Sequence, residues 1–118
     1  MGSNETMTNV CLVIPCFNEA LRIDKEKFSL LIREANVNDI DLHLHFVNDC
    51  STDKTREILE QIIIDDTENT RINNLDTNVG KAEAIRITMA ALSNSDREFI
   101  GFMDADFAIP PLAVLRFI

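Results

Sequence analysis

Short apolar runs that break off abruptly into polar or acidic residues, separated by amphipathic segments of helical length, constrain this chain more than any other feature. Strands that alternate with helices of about ten or more residues build a parallel sheet with right-handed crossovers and helices on both faces. The first run, Val10-Cys11-Leu12-Val13-Ile14, is continuous and closed by Pro15, the pattern of a strand covered on both faces. In the second, Leu42, Leu44 and Phe46 alternate with His43 and His45 ahead of Val47. A brief third run covers Thr70 to Leu75, and Phe99-Ile100-Gly101-Phe102-Met103 forms the last. The spacing predicts a helix from about Glu19 to Ala35, with Phe28, Leu31 and Ile32 on its apolar stripe. A second helix is expected through Ile64, capped by Ser51 or Thr52 with Asp53 in its first turn and Ile58, Leu59, Ile62 and Ile63 buried. A third follows Gly80, with Ala84, Ile85, Met89 and Leu92 on one face, and Pro110 and Pro111 suit the start of another. The expected order is βαβαβαβ, an α/β fold built on an open parallel sheet.

The 118 residues, 46% of them hydrophobic, suffice for one core. Residues 10–118 are expected to form it, with residues 1–9 a disordered start or cloning scar. The apolar ending Leu112-Ala113-Val114-Leu115-Arg116-Phe117-Ile118 reads as a cut inside a larger domain. No run approaches the ~20 apolar residues of a membrane span, and the start lacks a secretory signal, so a soluble, cytoplasmic segment is expected. A net charge of -9 disfavours nucleic-acid binding. An anionic small molecule would need a divalent cation, backbone amides or lysines to offset that charge locally. The three cysteines lack CxxC or Cys/His spacing and are expected to be free thiols. His43 and His45, on one face of a strand, are read as packed or half-exposed.

Ligands of open α/β sheets bind beyond the carboxyl ends of the strands. Here those ends are Pro15-Cys16-Phe17-Asn18-Glu19, Asn48-Asp49-Cys50-Ser51-Thr52-Asp53 and Asp104-Ala105-Asp106, so three polar, acidic clusters share one edge. Paired carboxylates two residues apart suit Mg²⁺ or Mn²⁺ through hard oxygen ligands. Acidic residues directly after buried strands have little structural purpose, which favours function for Asp49 and Asp106, whereas Thr52 and Asp53 read as helix caps. Cys16 and Cys50 have no paired histidine or basic neighbour that would make either a nucleophile.

The ordered strings Val13-Ile14-Pro15-Cys16-Phe17-Asn18-Glu19, Val47-Asn48-Asp49-Cys50-Ser51-Thr52-Asp53-Lys54-Thr55, Asn78-Val79-Gly80-Lys81-Ala82 and Asp104-Ala105-Asp106 together resemble the signature of family 2 glycosyltransferases. The resemblance covers roughly residues 10 to 118 and implies the Rossmann-like GT-A fold. It also implies inverting transfer of a sugar from a UDP- or GDP-sugar to an acceptor such as a polyprenyl phosphate or a glycan. Pro15, Cys16, Phe17 and Glu19 would then line the nucleotide pocket, and Asp49 would accept the base N3–H. Gly80 and Lys81 would approach the phosphates, Asp104 would lie near ribose and metal, and Asp106 would ligate Mg²⁺ or Mn²⁺. The acceptor's catalytic base is expected after Ile118, leaving these residues as the donor-binding half. Within the family, the Asn78 to Met89 and Asp104 to Ala108 segments look most like the synthases that charge polyprenyl or dolichyl phosphate, on the cytoplasmic face of a membrane. Cys50 stands where a glycine is common and Glu83 where a small residue is common. The rivals are a non-catalytic nucleotide-sugar-binding module and a receiver-like phosphoacceptor domain. The latter needs an acidic pair after its first strand, where Pro15-Cys16-Phe17 stands.

Overall fold

The computed structural model describes residues 7–92 and 97–106. Its elements are β1 (Thr8–Cys16), α1 (Lys25–Val37), β2 (Ile40–Asn48), α2 (Thr55–Asp65), β3 (Thr70–Asn74), α3 (Lys81–Leu92) and β4 (Phe99–Phe102). The expected Pro110-Pro111 helix start, the apolar ending and residues 1–6 lie outside the described residues.

β1 pairs with β2 and β4, and β2 with β3, all parallel, in the order β3-β2-β1-β4. The chain winds outward from β1 to β3 and then crosses back over β1 to reach β4. Winding therefore reverses between β1 and β4, and such a reversal opens a crevice at the carboxyl edge of the sheet.

The patterning explains the layers. β1 is paired on both sides and buried from Val10 to Cys16, which its continuous apolar run permits. On one face Val10, Leu12, Ile14, Leu42, Leu44 and Phe46 pack against Phe28, Leu31 and Ala35 of α1 and Leu59 and Ile62 of α2. Phe28 meets Phe46 edge to face with ring centroids 5.2 Å apart. The other face is thinner, with Val13 and Val47 against Ala84 of α3 and Met89, Leu92, Leu75 and Ile100 around them. His43 and His45 fall on that second face, half-buried, as the alternation requires. His43 Nε2 lies 3.1 Å from Asp41 Oδ1, while burial, reinforced by the Arg71 charge, pushes the His45 imidazole below its usual pKa.

Three boundaries differ from expectation. Thr8 pairs with Ile40 and Asn9 with Asp41, so residues 8 and 9 belong to the sheet rather than to a disordered start. α1 begins at Lys25, not near Glu19, because the Asp24 side chain takes the Glu26 amide at 3.1 Å and caps it there. The Glu19 carbonyl instead closes a separate turn by accepting the amides of Arg22 and Ile23. α2 begins at Thr55, and neither Ser51 nor Thr52 caps it, since both reach across to the loop after β1.

Candidate functional site

The loops after β1 and β2 are laced together. Asn18, at φ 52°, accepts the Thr52 amide at 2.8 Å and the Asp53 amide at 3.3 Å through Oδ1, and donates its own amide to Ser51 Oγ at 3.0 Å. Glu19 donates its amide to Thr55 Oγ1 at 2.8 Å, and Ala20 donates to Asp53 Oδ2 at 3.2 Å. Asp53 Oδ1 accepts the Thr55 amide at 2.9 Å as well as the Thr55 hydroxyl. These donors, the hydroxyl foremost, hold the Asp53 carboxyl below its usual pKa. Asparagine tolerates the left-handed backbone and brings its own acceptor, which explains why Asn18 organises the junction. The Asn18-Glu19 turn was visible in the sequence, but its partners were not.

Of the pocket residues expected after β1, Pro15 and Cys16 are buried and could meet a ligand only through backbone atoms. The Cys16 thiol donates to the Ile14 carbonyl at 3.5 Å, and burial, then the Glu19 charge, pushes it up to about 12, far from a nucleophile. Phe17 is 46% exposed at the rim. The Glu19 carboxylate is held by Arg22 at 2.9 Å.

Asp49 is tied to the turn that precedes α3. It is 2% exposed, and its Oδ1 and Oδ2 accept the amides of Val79 and Gly80, each at 2.8 Å. Asn78 Nδ2 donates to the Asp49 carbonyl at 3.0 Å, so the turn before α3 is tied to the end of β2 by side chain and main chain alike. The Gly80 amide, in the turn expected to approach phosphates, thus also donates to Asp49. Gly80 sits at φ 91° with open space where a Cβ would project, so backbone conformation rather than room demands glycine there. Cys50, at φ 58°, occupies a left-handed position of its own, which accounts for glycine being common at it.

On the far side of β1, Ala105 is 1% exposed and packs into the α1/α2-side core. It anchors the end of β4 and leaves Asp104 and Asp106 on the surface. Lys81 Nζ forms an ion pair with Asp104 Oδ1. The side chains are 58% and 51% exposed, so both remain reachable by a ligand. α3 and β4 therefore bring together two expected site residues that stand far apart in the sequence. Among the described residues, no group of three or more His, Cys, Asp or Glu side chains could hold a metal ion. Glu83 faces outward and pairs with Arg86 at 2.5 and 2.8 Å. An open groove of about 390 Å³ between the starts of α1 and α2, lined by Ile23, Lys25, Lys54, Glu57, Ile58 and Gln61, shares none of the candidate residues.

Residues 11–118 match the family model described as Glycosyl transferase family 2. A teichoic acid poly(glycerol phosphate) polymerase of Staphylococcus epidermidis is 35% identical over 74 residues, covering 63% of this chain and 10% of the polymerase. Mannosyltransferase PcManGT from Pyrobaculum calidifontis, solved in complex with GDP-Man and Mn²⁺, is similar in fold. Its TM-score is 0.64 at 23% identity, over 87% of this chain and 29% of its own. TarS 1-349 of S. aureus, solved in complex with UDP, has a TM-score of 0.59 at 26% identity, over 84% of this chain and 28% of its own. The chain thus spans about a tenth of the curated relative's length and less than a third of either solved neighbour. The parallel sheet with helices on both faces is the GT-A-like arrangement of these neighbours.

Proposed function

Because this chain belongs to glycosyl transferase family 2, we propose that it is the donor-binding part of an enzyme that transfers a sugar, with inversion, from a nucleotide-diphosphate sugar to an acceptor. The observation that carries this reading is the meeting of Lys81 with Asp104 beside Asp106, at the carboxyl edge where the winding of the sheet reverses. An exposed ion pair contributes little to stability, and its ammonium can turn to a diphosphate once a divalent cation offsets the carboxylates. Lys81 supplies positive charge to phosphate oxygens, and Asp104 is released as they arrive.

The two carboxylates offer hard oxygen donors, so Asp104 and Asp106 would hold Mg²⁺ or Mn²⁺ together with the donor's own phosphates. When bound, the ion would stabilise the leaving nucleotide diphosphate. Phe17, exposed at the end of β1, and the adjoining backbone of Pro15 and Cys16 form the wall against which the nucleoside would rest. Support for a uracil nucleotide comes from the TarS structure, solved with UDP, while GDP-sugars remain in the donor class to be tested. The acceptor is proposed to be a polyprenyl phosphate or a glycan. The same reading places the enzyme in the cytoplasm, in keeping with the three free cysteines.

The test is a transfer assay of the intact protein with radiolabelled UDP- and GDP-sugars, with polyprenyl phosphate or glycan acceptors, in Mg²⁺, Mn²⁺ or EDTA. Metal-dependent incorporation from one donor class, lost in Asp106→Asn, is expected. Donor binding without turnover on any acceptor would favour a nucleotide-sugar-binding module instead.

A further inference from the structure

Resting on the donor-binding reading and deepening it, we infer that Asn18 is a positioning residue that acts through Phe17. By tying the loop after β1 to the loop between β2 and α2, it holds the Phe17 ring where the nucleoside of the donor rests.

Phe17 is the exposed part of this arrangement, and its neighbours are the fixed part. The ring is 46% exposed, so burial alone does not hold it in place. Before it, the Cys16 carbonyl accepts the Asp49 amide at 2.8 Å, which pins the end of β1 to the end of β2. After it, Asn18 turns the chain at φ 52°. Its Oδ1 accepts the Thr52 amide at 2.8 Å, the Thr52 hydroxyl at 3.3 Å and the Asp53 amide at 3.3 Å. Its own amide donates to Ser51 Oγ at 3.0 Å, and the next two amides, of Glu19 and Ala20, donate to Thr55 Oγ1 and Asp53 Oδ2. One carboxamide oxygen therefore gathers three donors from the facing loop, at the residue that directly follows the ring.

The facing loop is itself anchored to the sheet. The Ser51 amide donates to Asn48 Oδ1 at 3.2 Å, and Asn48, 3% exposed, donates through Nδ2 to Asn74 Oδ1 at 2.8 Å. A chain of polar contacts thus runs from Asn18 through Ser51 and Asn48 to the end of β3, so three strands and not one loop set the place of Phe17. Bonding a loop this closely around a ring left half in water gains little for the core. It does remove the ordering cost that a mobile ring would add when a base stacks on it. Asparagine suits the position because it tolerates the left-handed backbone and carries the acceptor.

The test measures affinities of the intact protein for UDP and GDP in Mn²⁺, comparing wild type with Phe17→Ala, Asn18→Gly and the double variant. Glycine keeps the left-handed backbone open to the chain and removes the acceptor. Phe17→Ala is expected to weaken binding about tenfold, the worth of one base stacked on an aromatic face. Asn18→Gly is expected to cost about fivefold, the ordering of one side chain, and the double variant to bind no more weakly than Phe17→Ala alone. Losses that add in the double variant, or an Asn18→Gly affinity equal to wild type, would overturn the inference. A second readout needs no nucleotide. With para-fluorophenylalanine incorporated at Phe17 alone, the fluorine resonance of the unliganded protein is expected to move toward that of the free amino acid in Asn18→Gly, and an unmoved line would count against the inference. Should Asn18→Gly not fold, Ser51→Ala removes the acceptor of the Asn18 amide. It is expected to show the same pattern at smaller size, and an unchanged affinity there would likewise count against the inference. If Phe17→Ala fails to weaken a nucleotide that wild type binds, the inference is lost and the donor-binding reading stands. Failure of the wild type to bind either nucleotide would instead remove that reading, and this inference with it.

Discussion

The ends of β2 and β4 carry the same residue type at the same edge of the sheet and differ in what neutralises it. At β2 the protein's own groups act as donors: backbone amides for Asp49, and the Thr55 amide and hydroxyl with the Ala20 amide for Asp53. At β4 Asp104 is paired with the half-exposed Lys81 ammonium, and Asp106 lies on the surface. A carboxylate bonded to fixed backbone dipoles helps hold the scaffold, and one matched by a surface ammonium can exchange that partner for a ligand. Two acidic residues after buried strands are thus neutralised differently, one by the fold's own amides and the other by a side chain that a ligand can displace.

The largest effect that would break or sharpen this contrast is on stability. Asp49→Asn is expected to lower the unfolding free energy by about 1–3 kcal/mol, since it sets a buried amino group against a backbone N–H, whereas Asp104→Asn should cost no more than ~1 kcal/mol. Urea unfolding of the two variants measures both, and equal losses would erase the distinction. Next in size is the left-handed Cys50 between β2 and α2. Cys50→Val should cost about 1–2 kcal/mol because a β-branched side chain fits that backbone badly, while Cys50→Gly should be neutral or stabilising despite losing the 3.4 Å Sγ contact to the Asp76 carbonyl. Thermal melts of the pair check the order.

The smallest effect is at Asp53, whose folded pKa lies below the unfolded 3.8. A depressed carboxylate pKa contributes stability that is present above the unfolded value and is lost as pH falls through the folded one. Asp53→Asn should therefore lose that contribution at neutral pH, flatten the acid limb of the stability profile, and converge on wild type as the pH falls below about 4. An acid limb as steep as in wild type would show that the Thr55 bonds do not bias the group.

Much of this architecture was legible in the sequence for a simple physical reason. β1 must be apolar on both faces because helices cover both, and the alternation in β2 must place His43 and His45 on the thinner side. Helix starts were harder to read because several residues near each boundary could cap, and Glu19, Ser51 and Thr52 are drawn instead into contacts between the loops after β1 and β2, leaving Asp24 to cap α1 locally. The motifs named Lys81 and Asp104 separately, but their pairing follows from the return of the chain to β4 beside β1. Asp49 was the hardest, since its partners are backbone amides about thirty positions away, and a backbone amide leaves no trace in residue identity. Only the Asn78 and Gly80 pattern of a tight turn pointed there.

The central claim, that the end of β4 with Lys81 receives a nucleotide diphosphate and its cation, is tested most directly by titrating UDP and GDP into the intact protein by calorimetry. The titrations are run with and without Mn²⁺, for wild type and Asp106→Asn. The account predicts binding that depends on Mn²⁺ and falls at least about tenfold in the variant, while the melting temperature of the unliganded protein stays the same. Nucleotide binding equally tight without the cation and undiminished by Asp106→Asn would contradict it.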